Sequence, residues 1–307
     1  MPSIRARLVE LALPLLGIKR FFSEPEKMNR RIARLRDKPS PRPRDRWHRR
    51  FHIEQSEERG FPLVTIRPKS GAKPGAPHLL YLHGGGYVMD IAAVHWDTVM
   101  HLCKRLGASA SVPIYPLAPE TKAEITLAEM RALYDEIAAR HGAGNVTVMG
   151  DSAGGGMSLA LAQMIKEDGG EMPGRLVLFS PWLDATGSGV SAGQEDIEAK
   201  DRMLSINGLA ACGVRYAGEL ALADPRVSPL FGKLEGLPPM AIFAGTHDIL
   251  LVDSRRLVEK LSQPGMPEHI YHEYKGMFHV WMLLPVPEGR RALEQAARFI
   301  AGKGTEA

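Results

Sequence analysis

The chain is poor in cysteine. Of its 307 residues only Cys103 and Cys212 are cysteines, and neither lies in a metal- or redox-type spacing. That argues against a disulfide-stapled scaffold and against a cysteine-based zinc or redox site, and it reads as two buried thiols in a reducing, cytoplasmic compartment. No apolar run is long enough to cross a bilayer. The opening MPSIRARLVELALPLLGIKRFF sets early arginines before an apolar run, as a secretion signal does, but Glu10 interrupts the run and no small-x-small cleavage site follows. Internal repeats, low-complexity tracts and nucleic-acid-binding motifs are also missing, so an array, a disordered linker protein and a nucleic-acid reader are disfavoured. What is present is ordinary for a soluble enzyme, with hydrophobic residues at 44% and charged residues at 24%. The length suffices for one large α/β domain or two smaller ones.

The charge is uneven. Residues 27–50 carry eleven Lys/Arg against Asp37 and Asp45, while the whole chain is only +4, so the remainder is acidic. We read this segment as a solvated helical face docking on an acidic body, with no nucleic acid as partner. Leu8, Leu11, Leu15 and Ile18 share one helical face, which predicts an amphipathic helix that packs on the body or lies on a membrane surface. Residues 38–46, rich in Pro and Arg, read as a connector.

From residue 51 the pattern alternates. Strand-like runs fall at 51–57, 63–67, 78–82, 109–115, 146–149, 176–180, 240–244 and 269–274, and helical patterns at about 96–106, 123–140, 153–167, 252–262 and 288–301. After a first hairpin this order predicts an α/β fold with a mostly parallel eight-stranded sheet and helices on both faces. Pro113 disagrees with a central strand, because proline removes a ladder bond, so a bulge or a strand end is expected there.

The chemistry starts at VTVMGDSAGGGMSLALAQM, where a short strand meets a glycine-flanked serine and then a helix. Gly150-Asp151-Ser152-Ala153-Gly154 fits G-x-S-x-G in its strand–turn–helix context, a turn too tight for Cβ atoms two residues either side of the serine. The helix N-terminus and the free Ala153 N–H favour negative charge beside the Ser152 hydroxyl. A serine needs a base, and on such a turn the partners follow in the order Ser, acid, His. Asp248 follows one strand and His279 another, each at the carboxyl-end edge where open α/β sheets place their sites. Asp248 would orient His279, and His279 would take the serine proton. Asp253, one turn into a helix, competes as the acid, whereas His247, His269 and His272 lie in or beside strands and read as structural. Upstream, LLYLHGGGYVMD ends a buried strand in three glycines. The N–H groups of Gly85 and Gly86, with that of Ala153, would hold the oxyanion formed when Ser152 attacks a carbonyl. His83 reads as a loop-shaping residue. A phosphate loop is disfavoured because no Lys-Ser/Thr follows the glycines.

With these motifs on view, the sequence resembles the hormone-sensitive-lipase-like branch of the α/β-hydrolases. The residues that carry the likeness are His83-Gly84-Gly85-Gly86, Gly150-Asp151-Ser152-Ala153-Gly154-Gly155, Pro116-Leu117-Ala118-Pro119-Glu120, Ser180-Pro181-Trp182 and Asp224-Pro225, across residue 50 to the C-terminus. The resemblance implies carboxylester hydrolysis through an acyl-serine with no cofactor and no metal. It also implies a helical cap built from residues 1–45 and an insertion at about 183–220 on a core of residues 46–307. Where many members follow the acid with x-Leu-x-Asp-Glu, this chain reads Asp248-Ile249-Leu250-Leu251-Val252-Asp253, without the trailing acid pair.

Tyr87, Trp182, Met277 and Trp281 adjoin the site loops and are expected to line a pocket for a small apolar ester of short to medium chain. A lactone or activated amide would suit the same Ser-His-Asp set, and a non-catalytic small-molecule receptor would be signalled by loss of the histidine, which is present. An epoxide hydrolase would carry aspartate at position 152. Membrane-surface contact through the N-terminus and a homodimer stay open.

Overall fold

In the computed structural model, which describes residues 1–73 and 75–303, the chain opens with three short helices. These are α1 (Ile4–Ala12), α2 (Ile18–Ser23) and α3 (Pro25–Arg36). Ser3 caps α1, its hydroxyl accepting the Ala6 N–H at 3.1 Å. Pro14 tightens the next turn into a 3₁₀ form, and Gly17 then takes φ 70°, which ends it. The α/β body follows as β1 (Phe51–Ser56), β2 (Leu63–Pro68), β3 (His78–Leu82), α4 (Ala93–Leu106), β4 (Ser109–Pro113), α5 (Ala123–His141), β5 (Val146–Asp151), α6 (Ala153–Glu167) and β6 (Arg175–Phe179). An insertion then holds α7 (Gln194–Glu198) and α8 (Ile206–Ala217), before β7 (Met240–His247), α9 (Leu251–Leu261), β8 (His269–Phe278) and α10 (Pro287–Ile300) complete the chain.

The eight strands form one sheet in the order β1-β2-β4-β3-β5-β6-β7-β8. The β1–β2 and β2–β4 pairs are antiparallel and the remaining pairs parallel. β3 and β5 are buried along their whole length, because helices cover both faces. Strand order reverses between β3 and β5, and their carboxyl ends open a crevice there. The Gly84–Gly86 loop and Ser152 leave the sheet at this point. Pro113 closes β4 opposite Leu63, so the proline marks a strand end and costs no central ladder bond.

The basic segment docks as expected. Arg36 donates to the carbonyls of Val88 and Ala118, each at 2.9 Å, and Arg44 and Arg46 reach Asp97 at 3.5 and 2.8 Å. The N-terminal helices also meet the insertion. The Ser205 hydroxyl donates to the Phe22 carbonyl at 2.9 Å, and a Cβ on Gly208 would come within 2.3 Å of that same oxygen.

The leucine face turns out differently from packing on the body. Leu8, Leu11 and Leu15 are exposed, Ile18 is half-buried, and the side chains that α1 and its following turn bury are Ala6 and Leu13. The 3₁₀ turn at Pro14 and the left-handed Gly17 break the helical phase, so Ile18 does not continue the exposed row of Leu8, Leu11 and Leu15. Stability should follow burial. Ile32→Ala, at a site 1% exposed between the N-terminal helices and the body, should cost about 2–4 kcal/mol. Leu15→Ser should stay within about 0.5 kcal/mol, both read from urea midpoints.

Candidate active site

At the end of β5 the backbone turns sharply. Ser152 sits at φ 52°, ψ −121°, and α6 begins at the next residue. A Cβ on Gly154 would lie 2.0 Å from the Leu82 carbonyl oxygen, and one on Gly150 would lie 2.4 Å from the carbonyls of both Gly154 and Leu82. Glycine is therefore needed at both positions, as the motif spacing implies. The Asp151 carboxylate locks the two loops together. Its Oδ1 accepts the Tyr81 hydroxyl at 2.6 Å and the Gly84 N–H at 3.0 Å, and its Oδ2 lies 3.3 Å from His95 Nε2. Burial pushes this carboxyl up, but the adjacent His95 and the Tyr81 hydrogen bond outweigh it and hold Asp151 below the usual range. Besides Ser152, three other non-glycine residues among those described take positive φ, namely Tyr87, Ser180 and Val280. All three adjoin the Gly84–Gly86 loop, the end of β6 or His279, so the strained backbone gathers at this site.

β7 and β8 bring in the second half. His279 Nδ1 is 2.8 Å from Asp248 Oδ2, and Asp248 Oδ1 accepts the Leu250 N–H at 2.9 Å. Burial alone would lower the His279 pKa. The Asp248 carboxylate and its hydrogen bond, then Asp201 and Asp151, outweigh burial and raise it above the ordinary imidazole value.

Asp201 was not anticipated from the sequence. It lies in the insertion, 2% exposed, with Oδ1 accepting the N–H groups of Met203 at 2.7 Å and Leu204 at 2.8 Å. Its Oδ2 accepts the N–H of Ile249 at 3.0 Å, the residue that follows Asp248. Lys19 of α2 donates to the Asp201 carbonyl at 2.7 Å. Burial and the neighbouring Asp248 charge push its carboxyl up to about 6. Its turn with Met203 is a local Asx signal that a sequence can show, but its approach to a loop 48 residues away is not.

Ser152, His279, Gly85 and Gly86 face one apolar cavity of about 270 Å³. Gly85 and Gly86, at φ 121° and 60°, donate their N–H groups to no backbone acceptor among the described residues. The cavity walls come from Leu13, Leu16 and Phe22 of the N-terminal segment, Met203 and Leu204 of the insertion, and Met89. A wider cleft of about 690 Å³ between residues 14–23 and 195–207 has neither Ser152 nor a histidine among its lining residues. Among the described residues no group of His, Cys, Asp or Glu is arranged to hold a metal ion.

The four expected pocket residues do not line this cavity. Tyr87 is stacked on Tyr216 with ring centroids 3.6 Å apart, and Trp182 donates to the Asp184 carbonyl. Met277 is buried where a Cβ on Gly245 would meet it, and Trp281 packs on Tyr274 at 5.0 Å. Being next to a site loop in sequence turned these side chains into the core beneath the loop. His83 fits its loop-shaping role. Its Nδ1 contacts the Gly84 carbonyl at 2.7 Å, its ring stacks on Tyr115 at 4.2 Å, and burial holds its pKa down to about 4. His247 pairs with Glu10 at 2.7 Å, away from the serine. His78, between Ser109 at 2.8 Å and Ser111 at 3.0 Å, starts β3 at the opposite edge of the sheet from Ser152, so that Ser/His grouping is structural.

Three comparisons with known proteins bear on this geometry. The family described as α/β hydrolase fold matches residues 79–283. An acetyl-hydrolase of Streptomyces hygroscopicus is 35% identical over 246 residues, 76% of this chain and 78% of that protein. A triacylglycerol lipase of Mycobacterium tuberculosis is 33% identical over 226 residues, 73% of this chain but 46% of the lipase, so the chain spans about half of that relative. Among solved structures, an esterase from the bacterial hormone-sensitive lipase family overlays with a TM-score of 0.75 at 28% identity, covering 89% of each chain.

The competing acid, Asp253, makes a separable prediction. It is buried, and burial pushes its carboxyl up to about 8, so it is mostly protonated at neutral pH. Its Oδ2 accepts the N–H groups of Leu183 at 2.8 Å and Asp184 at 3.1 Å. Asp253→Asn, a near-isostere of that neutral acid, should change stability by less than about 1 kcal/mol, whereas Asp253→Ala strands both N–H groups and should cost roughly 2–4 kcal/mol. Urea denaturation of the two variants would measure the difference.

Proposed function

The chain belongs to the α/β-hydrolase fold family, and we propose that it is a serine carboxylesterase working through an acyl-serine intermediate. The observation that carries this reading is a buried Asp248–His279 pair whose imidazole faces the same apolar cavity as Ser152. In the proposed mechanism His279, held in one tautomer by Asp248, takes the Ser152 proton as the hydroxyl oxygen attacks the ester carbonyl. The carbonyl oxygen becomes an oxyanion, and the N–H groups of Gly85, Gly86 and Ala153 are aimed at it. Each such donor typically contributes about 3–4 kcal/mol. Collapse expels the alcohol with the proton carried by His279, and water then cleaves the acyl-serine by the same steps.

Cavity size and chemistry guide the substrate. About 270 Å³ walled by leucines, methionines and Phe22 suits a small apolar ester of short to medium chain. A relative named acetyl-hydrolase agrees with the short end of that range. Residues 1–45 and the insertion at about 183–220 act as the cap, since both send side chains into the cavity wall. A receptor without catalysis is disfavoured by the intact Asp248–His279 pair. A reducing, cytoplasmic setting fits the two free, buried thiols.

Two measurements test this. Ser152→Ala should lower kcat on a p-nitrophenyl ester by roughly 10⁴–10⁶ and abolish labelling by an active-serine phosphonate. Labelling that survives in the variant would refute the assignment. The second uses pH. Only neutral imidazole can accept the serine proton, so a raised His279 pKa moves the acid limb of kcat/KM above the ordinary value of about 6.5. Asp201→Asn removes one anion that favours the protonated ring, so the limb should shift to lower pH. Its amide nitrogen also faces an N–H that a carboxylate oxygen accepted, so a urea midpoint is taken alongside the pH profile. An acid limb that stays in place in Asp201→Asn would mean that Asp201 exerts no charge on the base.

A further inference from the structure

Most of the molecule hides its large apolar side chains. Nine are exposed among the described residues, and six of them fall within the first sixteen positions: Met1, Ile4, Leu8, Leu11, Leu15 and Leu16. Four of these, Ile4 at 78%, Leu8 at 62%, Leu11 at 69% and Leu15 at 88% exposure, recur at helical spacing along α1 and its following turn. The helix is nevertheless firmly seated. Ser3 donates through its N–H and its hydroxyl to Glu288 at 2.6 and 3.0 Å, Glu10 contacts His247 at 2.7 Å, and Ala6 and Leu13 are buried. One face of α1 is thus fixed to the body while the other, apolar, is held outward. An exposed leucine row on an anchored helix is a surface made to be covered.

Two observations say by what. First, the row leads into the cavity. Leu16 is 63% exposed and also lines the cavity that holds Ser152, with Leu13 and Ile18 beside it. Second, the charge around it is positive. Arg5 and Arg7 lie exposed on the same helix, α1, with no carboxylate partner among the described residues. A second copy docked by two-fold symmetry would bring these like charges toward one another. An anionic lipid surface would neutralise them and accept the leucines in its acyl boundary. No helix among the described residues is long and apolar enough to span, so the contact would lie in the plane of the surface.

We propose that the outward face of α1 and its following turn is a lipid-docking surface. It seats on an anionic phospholipid bilayer with Leu8, Leu11 and Leu15 in the acyl boundary and Arg5 and Arg7 among the headgroups. The mouth at Leu16 then meets the lipid, and apolar esters dissolved in the bilayer reach Ser152 without crossing water.

Flotation of the full chain with vesicles tests this, and Ser152→Ala protein is used for binding so that the result does not depend on turnover. Ser152→Ala should float with phosphatidylcholine–phosphatidylglycerol vesicles, float far less with phosphatidylcholine alone, and be released by high salt. Adding Leu8→Ser, Leu11→Ser and Leu15→Ser should abolish flotation. In the otherwise native chain the same three changes should leave hydrolysis of a water-soluble ester unchanged, because none of the three lines the cavity. They should also slow hydrolysis of an ester dispersed in anionic vesicles by about tenfold. Flotation that is absent with both vesicle types, or unaffected by the leucine changes, overturns the proposal. So does a native dimer in light scattering that the triple change turns to monomer, which would assign the face to a second copy. If flotation follows the leucines but no ester is cleaved, docking stands and the esterase reading falls.

Discussion

Two peptide backbones approach more closely at the head of the sheet than any side chain would allow. Gly154 at the start of α6 rests on the Leu82 carbonyl, where a Cβ would come within 2.0 Å, and Gly150 is wedged between the same carbonyl and the next turn of the helix. That contact sets the distance between the β3 loop and the β5 turn. It therefore sets where the free N–H groups of Gly85 and Gly86 stand relative to Ser152. Asp151 reinforces the contact from below by taking hydrogen bonds from Tyr81 and Gly84. The positive φ of Ser152 follows, because a chain leaving a buried strand can enter a helix this abruptly only through a strained residue. The strain is carried by tight packing on both sides, with α6 and both its neighbouring strands almost wholly buried.

Charge sets a second constraint. Three carboxylates, on Asp248, Asp201 and Asp151, act on one buried imidazole. Each comes from a different part of the fold: the end of β7, the insertion, and the end of β5. Burial opposes charge on the ring, and the carboxylates restore it, so the His279 imidazole stays able to hold a proton although it is buried. The cost appears on Asp201, whose own carboxyl is pushed up by burial and by Asp248. Three backbone N–H groups on Asp201 hold its carboxylate in place beside Asp248.

How much of this was legible in the sequence follows from what kind of signal each feature leaves. All eight strands and the five helices of the α/β body could be read, since period and length mark a buried strand or an amphipathic helix directly. The pairing of Asp248 with His279 could be read from chain order and strand ends, and the 2.8 Å contact agrees. The pocket could not. Tyr87, Trp182, Met277 and Trp281 were expected there because they adjoin site loops, yet sequence neighbours of a loop point as readily into the core as into the cavity. The real walls, Leu13, Leu16, Phe22, Met203 and Leu204, sit in helices and turns that carry no motif, and only the tertiary contact of α2 with α8 brings them together. The leucine periodicity in the N-terminal segment was visible, but the turn at Pro14 and Gly17 decided which face met the body.

The insertion and the N-terminal helices do more than cover the cavity. Lys19 of α2 holds the Asp201 carbonyl, the Asp201 carboxylate holds the backbone beside Asp248, and Asp248 holds the His279 ring that faces the cavity with Ser152. The backbone N–H groups of Met203 and Leu204, whose side chains line the cavity, donate to the other oxygen of that same carboxylate. A change that moves the backbone of these wall residues therefore pulls on the carboxylate that acts on the His279 ring. The Asp201 carboxylate thus ties the backbone of these two wall residues to the backbone beside Asp248. Phe22 shares in this linkage through its carbonyl, which accepts the Ser205 hydroxyl. Among the described residues no hydrogen bond ties Leu13 or Leu16 to the Asp201 turn or the Asp248 loop, and these two leucines form the part of the cavity wall that can vary in shape with the least effect on the Asp248–His279 pair.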